Sequence, residues 1–245
     1  MAVWAMACLS AHAADTGATL TVSAAASLRN AFVALAPGFE ARHPGAHLAF
    51  NFAASDALLA QILSGAPVDV LATADPQTMD RAQDQRLLLP GSRHLFARNS
   101  LVLVVPLHGT QALTQLDGLK QASIQRIALG QPSGVPAGRY AKSALEAAHL
   151  WAAVEGKAVY ALNVRQALDY VARGEVDAGF AYASDARTAL DKVRVALAVP
   201  TPEPIVYPVA AVAGTPHAEL ARQFIAYLLS PAAQAVLSQS GFERP

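Results

Sequence analysis

The chain has 245 residues, 53% of them hydrophobic and 15% charged, and its 18 Lys and Arg balance its 18 Asp and Glu. That length suffices for a compact core in one large domain or two lobes. The neutral balance, without any basic run, excludes nucleic acid, whose phosphates call for clustered Lys and Arg.

Residues 1–13 read as a truncated secretory signal. Val3–Leu9 is a short apolar core, and Ala11-His12-Ala13 fits a small-x-small cleavage pattern. The core falls far short of the ~20 apolar residues of a membrane span. No Lys or Arg precedes Arg29, so the positive n-region is missing. Cys8, the only cysteine, falls in this segment, leaving a mature chain without thiols, as suits an exported, periplasmic protein. With no CxxC, and with His43 and His47 separated by a Pro44-Gly45 turn, no structural zinc site is expected.

Thr19–Ala25 reads as a buried strand, because Leu20 and Val22 alternate with small and β-branched residues. From Leu28 the spacing changes to Leu28, Ala31, Phe32, Leu35 and Phe39, one face of a helix, which Pro37 should kink or divide. Ser27 stands at the changeover, where an N-cap belongs. Ala46–Ala54 is a second strand and leads through Ser55 into a helix carrying Leu58, Leu59, Ile62 and Leu63, so a strand–Ala–Ala–Ser–helix junction occurs twice. Val68–Ala74 is a third strand, followed through Asp75-Pro76 by another helix. Asp69 and Asp75 are expected to hold turns.

Ser92–Arg98 and Leu101–Pro106 are further strands. Arg126–Gln131 precedes a turn and a helix from about Arg139 to Leu150; Pro136, a helix-start signal, puts Ala137 and Gly138 in its first turn. Ala158–Leu162 ends at Asn163, an N-cap that places Val164 at the first helical position. Strands at Ala178–Tyr182, Arg194–Val199 and Ile205–Val212 follow, the last interrupted by Pro208, and helices near Pro216–Leu229 and Pro231–Gln239 close the chain. The alternation predicts an α/β fold of mostly parallel sheets flanked by helices. The order suggests a first lobe over 14–98, a second over 99–206 and a return to the first over 207–245. Leu101–Pro106 and Ile205–Val212 are the expected crossing segments.

The candidate site residues are Ser27, Ser55, Ala137, Val164 and Tyr182. The first four are predicted helix N-termini after strands, where open α/β sheets bind ligands and where free N–H groups face an anion. The serines add O–H donors and Tyr182 a phenol that stays protonated at ordinary pH. None of the five carries a charge. About seven hydrogen bonds to a charged ligand, each worth ~1.5–3 kcal/mol, could still hold a small dianion, and a ring of donors alone would reject protonated oxyanions.

The stretches AAASL (Ala24–Leu28), FAASDALLAQI (Phe52–Ile62), GAPVDVLATAD (Gly65–Asp75), GVPAGRYAKSAL (Gly134–Leu145), NVRQAL (Asn163–Leu168) and AGFAYASDA (Ala178–Ala186), with YPVAAV (Tyr207–Val212) and the terminal Gly241-Phe242, resemble the periplasmic molybdate-binding proteins of ABC transporters. The resemblance spans nearly the whole mature chain. It implies a two-lobed type II periplasmic binding fold that closes on molybdate or tungstate and hands it to a membrane ABC permease. It assigns the oxyanion contacts, by match, to Ser27, Ser55, Ala137, Val164 and Tyr182, with no cofactor, no direct metal ligand and a monomeric chain. Asp56 departs from the family, where serine or glycine often follows the second serine. A carboxylate so near a dianion is expected to point to solvent, favoured there by the helix macrodipole.

Other readings fit less well. An enzyme would need a base beside Ser27, and no GxSxG, HExxH or Ser/His/Asp arrangement is evident. Phosphate favours an acceptor carboxylate, and ferric iron favours paired tyrosines with histidine. A regulator's sensing domain would carry a helix-turn-helix. Sulfate, equal in charge and shape, is the remaining alternative, separated only by cavity size.

Overall fold

The computed structural model describes residues 17–109 and 113–245, so the expected signal segment and Cys8 lie outside the described residues. The elements run β1 (Thr19–Ala25), α1 (Arg29–Glu40), β2 (His47–Ala53), α2 (Ser55–Leu63), β3 (Val70–Ala72), α3 (Pro76–Asp84) and β4 (His94–Asn99). They continue with β5 (Leu101–Pro106), β6 (Ile127–Gly130), α4 (Pro136–Ala147), α5 (Trp151–Glu155), β7 (Ala158–Ala161), α6 (Val164–Ala172), β8 (Ala178–Tyr182), α7 (Ala183–Ala186) and β9 (Val193–Val199). Finally come β10 (Ile205–Ala211), α8 (Ala218–Leu228) and α9 (Pro231–Gln239).

The strands form two five-stranded sheets, ordered β2-β1-β3-β10-β4 and β7-β6-β8-β5-β9. In the first, β1 runs parallel to β2 and β3, while β10 enters antiparallel between β3 and β4. In the second, β6 runs parallel to β7 and β8, and β5 pairs antiparallel with β8 and β9. The sheets are thus mixed, each with a parallel half made by βα units. The segments expected to cross between lobes each lie within one sheet. The passages are the links beside them, at Ser100 and at residues 200–204, because both long strands are fully paired in their own ladders.

Helix α1 buries Ala31, Phe32, Leu35 and Phe39, the face its spacing predicts. Phe32 touches Phe50, Phe96 and Phe224 at ring-centroid distances of 5.8–6.0 Å, so one side chain joins α1 to β2, β4 and α8. Truncating such a fully buried phenylalanine costs ~3–5 kcal/mol. The returning helices therefore complete the first lobe's core.

Two prolines act less severely than expected. α1 runs unbroken through Pro37. The residue lies near the helix end, where Ala41 N–H still donates to its carbonyl at 3.0 Å, and only its own missing donor is lost. β10 keeps all seven residues, with a shift in its pairing to β4 between Tyr207 and Pro208, as a strand residue lacking N–H requires. A short helix, α5, stands beyond the expected end of α4, which stops at Ala147; His149, at φ 56°, turns the chain between them.

Candidate oxyanion site between the lobes

Parallel strands bring their carboxyl ends to one edge of a sheet, and here two such edges meet. The ends of β1 and β2 deliver Ser27 and Ser55; those of β6, β7 and β8 deliver Ala137, Val164 and Tyr182. All five line a single small interlobe cavity, together with Ala25, Ala26, Ala54, Ala74, Val135, Pro136 and Asn163. No charged side chain is among them. Each of the five is at most 4% exposed, so the lobes are closed over the cavity.

Helix geometry leaves the needed donors free. Leu58 N–H is the first in α2 to find a helical acceptor, at Ala54, which leaves the Ser55 amide in the unpaired first turn. In α4, Gly138 and Arg139 both donate to Val135, and Ala137 N–H is not used by the helix. Asn163 caps α6 as expected, accepting from Gln166 N–H at 3.0 Å, and Val164 N–H precedes that bond.

The two serines differ from their expected role. Ser27 lies within a 3-10 turn, Ala26–Leu28, and α1 starts two residues later without a side-chain cap. Its Oγ instead lies 3.1 Å from the Tyr207 phenol oxygen. Ser55 is the first residue of α2, and its Oγ accepts the Ala74 N–H at 3.0 Å. Capping is not what these hydroxyls do. The Ser55 oxygen already accepts from the backbone, so its proton remains to be donated into the cavity.

Tyr182, the last residue of β8, is fully buried, and its hydroxyl has no hydrogen-bond partner among the described residues. Burial, with Tyr207, Tyr140 and the carboxylates of Asp75 and Asp185 nearby, pushes this phenol well above its usual value, so it stays a donor. Its ring stacks edge-on against Tyr207 at 5.8 Å.

Charges stand one layer out. Asp56 does not point to solvent: it pairs with Arg81 of its own lobe and, at 2.7 Å, with Arg139 from α4 of the other. Arg139 also pairs with Asp75, whose second oxygen caps α3 by accepting from Thr78 N–H at 3.1 Å. The helix macrodipole alone would leave Asp56 in water, but the closed lobes supply a guanidinium. Asp69 holds the start of the first sheet, accepting from Thr21 N–H at 2.6 Å. On the opposite flank Arg165 pairs with the fully buried Asp185 and donates to the Ser27 carbonyl at 3.4 Å. Burial outweighs that arginine and pushes the Asp185 carboxyl up to about 6.

Arg139, Arg165, Asn99 and Tyr207 are therefore part of the site's surroundings although they contribute nothing to the predicted donor set. Arg139 follows Ala137 by two residues and Asp56 follows Ser55 by one, so opposite charges flanking two predicted donors were the available signal. Tyr207, buried beside Ser27 and Asn99, carried no local sign of its role. No cluster of three or more potential metal-ligating side chains occurs among the described residues.

The model of the bacterial extracellular solute-binding protein family matches residues 20–243. The molybdate-binding protein ModA of Escherichia coli is 37% identical over 235 residues, covering 94% of this chain and 90% of that protein. ModA of Haemophilus influenzae is 33% identical over 231 residues, covering 92% and 90%. The periplasmic molybdate-binding protein of Azotobacter vinelandii superposes with a TM-score of 0.81 at 25% identity, over 92% of this chain and 99% of that one.

Proposed function

The chain belongs to the family of bacterial extracellular solute-binding proteins, and on that premise we propose that its interlobe cavity captures molybdate, and tungstate alike, for the permease of a membrane ABC importer. The chain acts in the periplasm, reached through its N-terminal signal, as a monomeric carrier and not a catalyst. Ser27 and Ser55 each give an O–H and an N–H, Ala137 and Val164 an N–H, and Tyr182 its phenol O–H.

One observation carries this reading: the first turns of three helices, a 3-10 turn and an unpartnered phenol, drawn from both lobes, line one closed cavity without a charged side chain. Seven donors to a dianion, at ~1.5–3 kcal/mol each, give a gross ~10–20 kcal/mol. After lobe closure and ordering are subtracted, a dissociation constant below micromolar remains accessible. A cage that only donates also favours the fully deprotonated tetrahedral ion, because a protonated oxygen would present its O–H to another donor. The serine oxygens bond to a phenol and a backbone amide, neither of them a base that would make a nucleophile, which supports binding over catalysis.

Isothermal titration of the purified protein against molybdate, tungstate and sulfate tests the proposal. The first two should bind tightly and sulfate at least a hundredfold more weakly. Ser27→Ala and Ser55→Ala should each weaken molybdate about tenfold or more. Preferential sulfate binding, or unchanged molybdate affinity in both variants, would sink it.

A further inference from the structure

Resting on the proposed oxyanion function, we infer that Arg165 and Asp185 are positioning residues that hold the Val164 amide and the Tyr182 phenol in register within the second lobe. Arg165 is the second residue of α6, directly after Val164. Asp185 is the third residue of α7, the short helix whose N-cap residue is Tyr182. Arg165 Nε pairs with Asp185 Oδ1, so the ion pair joins the first turns of two helices that each begin beside a donor. The pair is shielded: the Asp185 side chain is 0% exposed and that of Arg165 21%.

Further bonds brace it. Arg165 Nη1 donates to Thr188 Oγ1 at 3.1 Å, and that hydroxyl donates to the Asp185 carbonyl at 2.7 Å, closing a ring. Arg165 Nη2 reaches the Ser27 carbonyl at 3.4 Å. A guanidinium with separate acceptors on Asp185, Thr188 and Ser27 is held in direction as well as position. The adjoining Ser184 is held by Asn99, whose Nδ2 donates to its Oγ at 2.7 Å. The turn after Tyr182 is thus fixed at two successive residues.

Stability alone does not account for the pair. Desolvating two charges offsets much of their attraction, so a buried ion pair adds little to folding compared with apolar side chains of similar size. Here the carboxylate is also poorly served: Oδ2 is buried without a hydrogen-bond partner among the described residues. Burial opposes the Asp185 charge, while Arg165 and the Tyr182 backbone favour it. What the pair does supply is direction. A donor already aimed at the cavity spares binding the entropy of ordering it.

Titration calorimetry of the full-length mature protein tests this with molybdate as the probe. It is run at about pH 8, where an Asp185 carboxyl titrating at about 6 is ionised. Arg165→Met combined with Asp185→Leu removes both charges together. That variant should melt within about 5 °C of wild type yet bind molybdate about tenfold more weakly. In a double-mutant cycle, Tyr182→Phe should cost about tenfold in the wild-type background and under about threefold beside Asp185→Asn, where the phenol has already lost its aim. A merely structural role would make the two losses independent. Additive losses in the cycle, or an apolar pair that binds within about twofold of wild type, would overturn this inference alone. If the apolar pair fails to fold, the cycle with Asp185→Asn decides. A wild-type protein that binds none of molybdate, tungstate or sulfate would overturn both it and the functional reading.

Discussion

The Ser27 hydroxyl oxygen stands 3.1 Å from the Tyr207 phenol oxygen, joining the turn after the first strand to a residue 180 positions later. Asn99 Nδ2 donates to the same phenol at 3.3 Å. If the phenol accepts from Asn99 and gives its own proton to Ser27 Oγ, the Ser27 proton is left for the cavity. In that arrangement the chain from Asn99 through Tyr207 to Ser27 ends in a hydroxyl donor at the cavity wall. Burial raises the Tyr207 phenol well above its usual value, against the pull of its Ser27 and Asn99 bonds, so the phenol keeps the proton this arrangement uses.

Tyr207→Phe removes the group that orients Ser27 while leaving the ring packed between Phe96, Tyr182 and Phe242. Molybdate affinity should fall about fivefold, in line with ~1 kcal/mol for one hydrogen bond. Titration calorimetry reads it, and an unchanged affinity would show that Ser27 needs no such support.

Tyr182→Phe should separate binding from stability. The phenol has no hydrogen-bond partner among the described residues, so its removal strands nothing there, and stability to denaturant should be unchanged or slightly raised. Molybdate binding should weaken about tenfold, as for loss of one charge-assisted donor. A variant less stable yet equally tight would contradict the donor role.

Gly138→Ala tests how closely α4 rests on its strand. A Cβ there would stand 1.9 Å from the Gly130 carbonyl oxygen, so backbone must move. Unfolding free energy should drop by ~1–3 kcal/mol, and binding should weaken as the neighbouring Ala137 amide is displaced. Gly134→Ala, where a Cβ meets nothing within 4 Å, should stay within ~0.5 kcal/mol of wild type.

Asp185 should leave a signature in the pH dependence of stability. Its carboxyl titrates near about 6 when folded, against a reference of 3.8. Between those values the folded chain holds a proton that the unfolded chain has released, so this group's contribution to stability falls as pH rises through the window. The difference in unfolding free energy between wild type and Asp185→Asn should therefore decline from about pH 4 to about pH 6.5 and then level off. Urea titrations across that range measure it, and a flat difference would mean that Arg165 cancels the cost of burial.

Much of the fold was legible from local pattern. The 3.6-residue spacing of Ala31, Phe32, Leu35 and Phe39 marked the buried face of α1, and Asn163 before Val164 marked the start of α6. Both signals act within one or two helical turns, so no knowledge of distant chain is needed to read them. The five candidate site residues were picked out in the same way, as small or polar groups where strands give way to helices, and the structure gathers them around one cavity. Ser27 shows where that reading stops. Its neighbourhood looks like a cap, yet it sits in a 3-10 turn two residues before the start of α1 and its oxygen bonds to a phenol from β10.

What the amino-acid order determined by itself was the succession of strands and helices and the neutral donors at their junctions, since propensity, periodicity and capping are short-range effects. Only the tertiary structure decided that Asp56 turns inward to Arg139 and that Tyr207 meets Ser27. Those pairings depend on β10 slotting between β3 and β4 and on the second lobe closing against the first. A charge or a phenol finds its partner wherever the folded sheets place one, and no local rule of spacing records that distance.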